Sequence, residues 1–145
     1  MKWKWLAPGA ALFMAGALAD DSTGRANISG EWRQEAGAES WILQSKEDAI
    51  HVAQLRNGQK VTEFDCNTLG QECEVKDAGR HAKVTFYFNG AKLVQLETRG
   101  SKVVKRRFSV DDQGDSMEVE EIPVVPEGKT VIEQFKRVQA SAAQK

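Results

Sequence analysis

Beyond residue 28 the chain alternates apolar and polar residues in short runs, with turn-forming clusters between them. Ala82, Val84, Phe86 and Phe88 share one face of such a run, and Lys83, Thr85 and Tyr87 share the other. Trp41 and Leu43 oppose Ile42 and Gln44, while Ile50, Val52 and Gln54 oppose His51, Ala53 and Leu55. Val104, Arg106, Phe108 and Val110 line up, as do Val131, Glu133, Phe135 and Arg137. A period of two marks half-buried strands. Asn57-Gly58 and Asn89-Gly90 are hairpin dipeptides that accept positive φ, and looser turn clusters stand at 77–79, 99–101, 112–115 and 126–128. The pattern predicts strands over 29–35, 39–46, 49–56, 60–66, 72–77, 81–89, 91–99, 102–111, 115–122 and 129–139. No stretch carries a helical period. The expected fold is all-β: an antiparallel up-and-down meander of about ten short strands. A closed or nearly closed barrel removes the sheet's edges; a flattened two-sheet sandwich is the other solution.

The first residues follow a different rule. Lys2 and Lys4 precede an apolar stretch from Leu6 to Leu18, and Ala17-Leu18-Ala19 ends it with small residues before Asp20-Asp21. This is the three-part pattern of a cleaved export signal, and the stretch is shorter than the ~20 residues a membrane-spanning helix needs. The expected organisation is a signal peptide over 1–19, a flexible leader over 20–28, a barrel domain over 29–139 and a disordered tail over 140–145. The mature protein is then secreted or periplasmic, with no membrane span after cleavage. Losing Lys2 and Lys4 with the signal takes the net charge from −1 to −3. That balance argues against nucleic acid and against electrostatic attachment to anionic lipid.

Export decides how the cysteines are read. Cys66 and Cys73 are the chain's two cysteines, with Asn67-Thr68-Leu69-Gly70 turning between them. An even pair in an oxidising compartment predicts a disulfide. The spacing is not that of a redox C-x-x-C pair, and with only His51 and His81 elsewhere no metal site is expected.

Gly30-Glu31-Trp32 opens the first strand, and Phe135-Lys136-Arg137 closes the last. A G-x-W at the first strand with an aromatic-x-Arg at the last resembles the calycin superfamily, which includes lipocalins and fatty-acid-binding proteins. The resemblance implies a barrel whose closed end is plugged by Trp32, with Arg137 packed over its ring and Gly30 beside them. It also implies a ligand held inside. This chain departs from the fatty-acid-binding pattern in two places. Only residues 35–39 separate the first two strands, which leaves no room for a helical lid. Glu133 stands two places before Phe135, where that family carries an arginine for the ligand carboxylate.

Arg106 is the most informative charge, because alternation puts it on the face of Val104 and Phe108. A buried arginine costs several kcal/mol unless paired, and Glu121 and Glu133 fall on inward faces too. Arg106, Phe108, Glu121, Glu133 and Phe135 are the candidate interior ligand contacts. Two readings stay open. These residues orient a small hydrophobic ligand in the barrel, or they form an internal salt-bridge network in a structural or protein-interaction module filled by its own side chains. The remaining charges of 102–107 split between two faces, within reach of Glu118 and Glu120 for cross-strand pairs. Asp111 to Asp115 lacks calcium-loop spacing and reads as a turn. His51 and His81 read as isolated surface or half-buried residues. Nucleophile elbow, phosphate loop and zinc-helix motifs are absent, so no catalytic residue, enzyme activity or cofactor is expected.

Overall fold

A computed structural model describes residues 27–77 and 80–138. The proposed signal over 1–19, most of the leader and the tail over 140–145 lie outside the described residues. Ten strands follow in order: β1 (Gly30–Gln34), β2 (Glu39–Lys46), β3 (Ala49–Arg56), β4 (Gln59–Asn67), β5 (Cys73–Asp77), β6 (Arg80–Asn89), β7 (Lys92–Arg99), β8 (Lys102–Val110), β9 (Ser116–Val125) and β10 (Val131–Arg137). These match the runs read from alternation to within a few residues, the largest shift being the extension of β9 to Val125. Asn57 and Gly58 both adopt positive φ, 54° and 79°, between β3 and β4, the backbone that a two-residue hairpin of matching twist requires.

All ten strands belong to one antiparallel sheet in the order β4-β3-β2-β1-β10-β9-β8-β7-β6-β5. The last strand pairs with the first, through Phe135↔Gln34, Lys136↔Arg33 and Arg137↔Trp32. The sheet therefore curls into a barrel whose two ends, β4 and β5, are neighbours in the chain but do not pair with each other. At one end of this seam the Cys66–Cys73 disulfide joins them, with Cα atoms 5.8 Å apart, an ordinary separation for such a bond. Beyond it the Phe64 and Phe86 rings stack at 6.1 Å. The connecting segment also pairs with β6, through Gly70 N–H to Phe86 O at 2.8 Å.

One end of the barrel is closed. Trp32, Phe108, Phe135, Leu43, Leu93 and Met117 are fully buried there with Phe86 and Ile50. Trp32 Nε1–H donates to Ile28 O at 2.9 Å, so Ile28, at the end of the segment read as leader, is itself buried. The Arg137 guanidinium sits 4.2 Å from the Trp32 ring centroid. It donates to Gly114 O and Ser29 O at 2.6 Å and to Asn27 O at 3.1 Å. Gly30 has φ +141°, and a Cβ there would collide with Arg137 Nη1. Gly30, Trp32 and Arg137 are one packed unit, and the glycine is the space the guanidinium occupies.

Replacing Arg137 by Met keeps much of the volume but leaves those carbonyls without their charged donor. Urea unfolding of Arg137→Met is expected to show a loss of about 2 kcal/mol, since hydrogen bonds to charged groups contribute about 1.5–3 kcal/mol each where buried and less where solvent reaches them. The slope with denaturant should stay constant. A midpoint equal to the wild type would show that the guanidinium does not hold this end.

Candidate functional site

The open end lies at the opposite ends of the strands, and its inner wall is polar. In β7 the inward positions run Leu93, Gln95, Glu97, Arg99, set opposite Phe108, Arg106, Val104 and Lys102 of β8. Apolar residues fill the lower part of this face and charged residues the upper. Arg106 Nη1 donates to Glu97 Oε1 at 2.7 Å and to Gln95 Oε1 at 3.0 Å. Its Nη2 lies 3.6 Å from Glu121 Oε2 on β9, and its guanidinium is 5.8 Å from the Trp41 ring centroid. Arg99 grips the other oxygen of Glu97 through Nε at 3.1 Å and Nη2 at 2.8 Å. Across the mouth, Arg56 donates to Glu39 at 2.7 Å.

Between these groups is a cavity of about 260 Å³. Its apolar walls are Trp41, Phe64, Val61, Val75 and Val84; its polar walls are Gln54, Thr62, Gln95 and Glu97 with Arg56, Arg99 and Arg106. It opens at the mouth beside the seam, since β4 and β5 both contribute. Phe108 meets Trp41 edge-on at 5.3 Å and forms the floor beneath it. The volume falls just below the roughly 300–1,000 Å³ of drug-sized sites.

Glu97 is the electrostatic centre. Burial pushes its carboxyl up, but the charge and hydrogen bonds of Arg106 and then Arg99 outweigh this and hold it below the ordinary glutamate range. Arg106 is 13% exposed and Glu97 16%, so their attraction is only partly screened.

Of the five interior candidates, Arg106 and Glu121 come together. Phe108 and Phe135 are fully buried in the packed part. Glu133 is half-buried on the inner face opposite Val119, and has no hydrogen bond or ion pair among the described residues. Gln95, Glu97, Arg99, Gln54, Arg56 and Trp41 went unread as a site. The alternation of Leu93-Gln95-Glu97-Arg99 carried the signal for the first three. The basic run over 102–107 divides as expected, Arg107 turning outward to Glu120 at 3.2 Å. Asp111 accepts the N–H groups of Asp115 and Ser116 at 2.9 and 3.2 Å and so builds the β8–β9 turn. His51 is not isolated: on the outer face its ring nitrogens meet Asp65 and Glu63, each at 2.7 Å. Hydrogen bonds that its ring donates to Asp65, then Glu63, raise its pKa above the ordinary 6.5 against the opposing effect of burial.

These two shifts act on opposite sides of neutrality. The depressed Glu97 contributes stability that is present above the unfolded value of 4.5 and lost as pH falls through its lower folded value. Urea midpoints from about pH 6 to about pH 3 should therefore drop further for the wild type than for Glu97→Gln. A constant gap would count against the pairing. The raised His51 contributes fully below 6.5 and loses its contribution as pH rises through the higher folded value. The wild type's advantage over His51→Gln should shrink between about pH 6 and about pH 9, and an advantage that grows would reverse the assignment.

No protein-family profile matches the sequence, and no curated protein matches it. Solved structures do. Secretory abundant heat soluble protein 4 from Ramazzottius varieornatus aligns with a TM-score of 0.64 at 17% identity, over 77% of this chain and 94% of that one. The REP1-NXSQ fatty acid transporter aligns at 0.64 and 17%, over 78% and 97%. The Schistosoma mansoni fatty acid binding protein, in complex with arachidonic acid, aligns at 0.62 and 16%, over 80% and 99%. At such identities the likeness is one of fold: the chain is an all-β, calycin-like barrel.

Proposed function

We propose that this protein is an exported barrel that binds a small, mainly apolar molecule in the cavity at its open end. The observation that carries the reading is the cavity itself, with an aromatic and aliphatic wall on one side and the Arg106–Glu97–Gln95 cluster on the other. Such a site holds an apolar body against Trp41, Phe64 and Val84 and fixes one polar group at Arg106 or Gln95. Two of the structural neighbours are named for fatty acids, which favours an apolar ligand. The floor here is filled by Phe108, Phe135 and Trp32, which favours a short one. Arg106 is already balanced by Glu97 and Glu121, so a neutral polar group suits it as well as a carboxylate. The disulfide accords with an oxidising compartment. We assign the protein no reaction.

The second reading is a barrel without a ligand that works through its outer face. It is favoured by the same packed floor, and it predicts an empty mouth.

Native mass spectrometry of the protein from its own compartment, with titration by an anilinonaphthalene sulfonate dye, separates the two. A ligand carrier is expected to show a bound adduct and saturable one-to-one dye fluorescence. Arg106→Met should weaken the dye about tenfold, as loss of a charged hydrogen-bond donor predicts, with the circular dichroism unchanged. No adduct and no saturable dye signal would remove the carrier reading in favour of the filled barrel.

A further inference from the structure

Gln95 on β7 is 3% exposed, yet half of its amide is unused. Arg106 Nη1 donates to its Oε1 at 3.0 Å. Arginine only donates, so the amide oxygen must face Arg106 and the orientation of the amide is fixed. Nε2 is then the other end, and it has no hydrogen-bond partner among the described residues. A buried donor without an acceptor carries its full desolvation cost, and buried polar groups are nearly always met. Gln95 borders the cavity at the mouth, so an acceptor that enters the cavity can meet it.

The charges around the cavity cancel. Among the described residues three guanidiniums border it, Arg56, Arg99 and Arg106, and three carboxylates answer them. Glu39 lies 2.7 Å from Arg56, Glu97 lies 2.8 Å from Arg99 and 2.7 Å from Arg106, and Glu121 lies 3.6 Å from Arg106. Farther out, Lys102 is exposed at the rim and Glu133 half-buried on the far wall, again one charge of each sign. Against the upward push of burial, Arg106 and Arg99 hold the Glu97 carboxyl below the ordinary glutamate range, so it is ionised near neutral pH. Two residues along one face of a strand are about 7 Å apart, which puts an anionic head at Gln95 beside Glu97. Such a head would give up its water and gain no uncompensated cation in return. A cationic head fares no better, because the Gln95 oxygen and both Glu97 oxygens already accept from arginines.

We propose, resting on the reading of this cavity as a ligand site, that the molecule it takes is uncharged and ends in a hydrogen-bond acceptor: a short aliphatic chain with a carbonyl head, such as an ester or a ketone. The carbonyl oxygen accepts from Gln95 Nε2, and the chain lies against Trp41, Phe64 and Val84. Arg106 then acts on the ligand through Gln95, by holding the amide in the orientation that presents its donor. Gln95 is the residue that sets the choice of head group, and the balanced charges around it exclude a free fatty acid.

Calorimetric titration of the purified protein with methyl octanoate, octanoate and octylamine tests it, with three heads on one chain length. The ester is expected to bind one-to-one and about tenfold tighter than either ion. Gln95→Leu should weaken the ester about tenfold and so erase its preference over octanoate. Glu97→Gln leaves a positive charge uncompensated beside Gln95 and should strengthen octanoate about tenfold. A circular dichroism spectrum equal to the wild type's shows that each variant is folded, and the wild-type ranking needs neither variant. Octanoate bound by the wild type as tightly as the ester overturns the proposal while leaving the cavity a ligand site. So does an ester affinity that Gln95→Leu does not change. No binding of the ester overturns it as well, and the native mass spectrum of the protein from its own compartment then decides the wider reading: an adduct keeps the cavity as a ligand site, and its absence removes both.

Discussion

Arg137 over Trp32 is the contact on which the barrel depends. An up-and-down meander ends far along the sheet from where it began, and nothing in the local pairing of hairpins brings its last strand back to its first. Here only a short ladder joins β10 to β1. The guanidinium adds to it a ring contact and hydrogen bonds to carbonyls that precede β1 and that lie in the β8–β9 turn. These tie the start, the end and the far turn of the fold to one point. Gly30 lacks a side chain so that this point can exist. Once it is fixed, the β10–β1 pairing closes the sheet, and the barrel is sealed at the Trp32 end and open at the other.

That polarity explains the arrangement of the interior. Along the inner faces of β7 and β8, large apolar residues give way to Gln95, Glu97, Arg99 and Arg106 as the mouth is approached. Burial of one such charge alone would cost several kcal/mol. The cluster avoids this by sharing: Glu97 divides its two oxygens between Arg106 and Arg99, and Gln95 takes the remaining reach of Arg106. Leaving these groups near solvent reduces the penalty further. The same arrangement keeps the mouth from collapsing into the core, because charged side chains cannot follow Trp41 and Phe108 into it. The cavity is thus a consequence of where the apolar alternation stops.

Strand faces and the closing unit were legible because period-two alternation and the Gly-x-Trp…Arg pattern are local in sequence. Arg106 was legible for the same reason: it breaks an otherwise apolar face. Its main partner was not, because Glu97 lies on a strand where Gln95, Glu97 and Arg99 leave Leu93 as the only apolar residue of the inward set. Glu133 shows the reverse difficulty. Its face follows from alternation, but which charge it meets depends on barrel curvature, and curvature carries it to a wall away from Arg106. His51 was read as isolated since Glu63 and Asp65 are distant in sequence; only the β3–β4 register, His51↔Asp65, brings them across from it.

The seam shows how the fold handles its remaining edges. β4 and β5 each offer unpaired backbone on one side, a liability in an antiparallel sheet. Joining them by a ladder would close the barrel fully and wall off the cavity, whose lining includes Val61, Thr62 and Phe64 from one edge and Val75 from the other. Instead the edges are fastened at the closed end by Cys66–Cys73 and filled above by the Phe64–Phe86 stack. The register shift between Gln54 and Leu55, which leaves Val61 unpaired in β4, turns that edge out of line, a common way of blunting an edge. A covalent bond at one point does what a ladder does along a line, and it leaves the upper seam free to border the site.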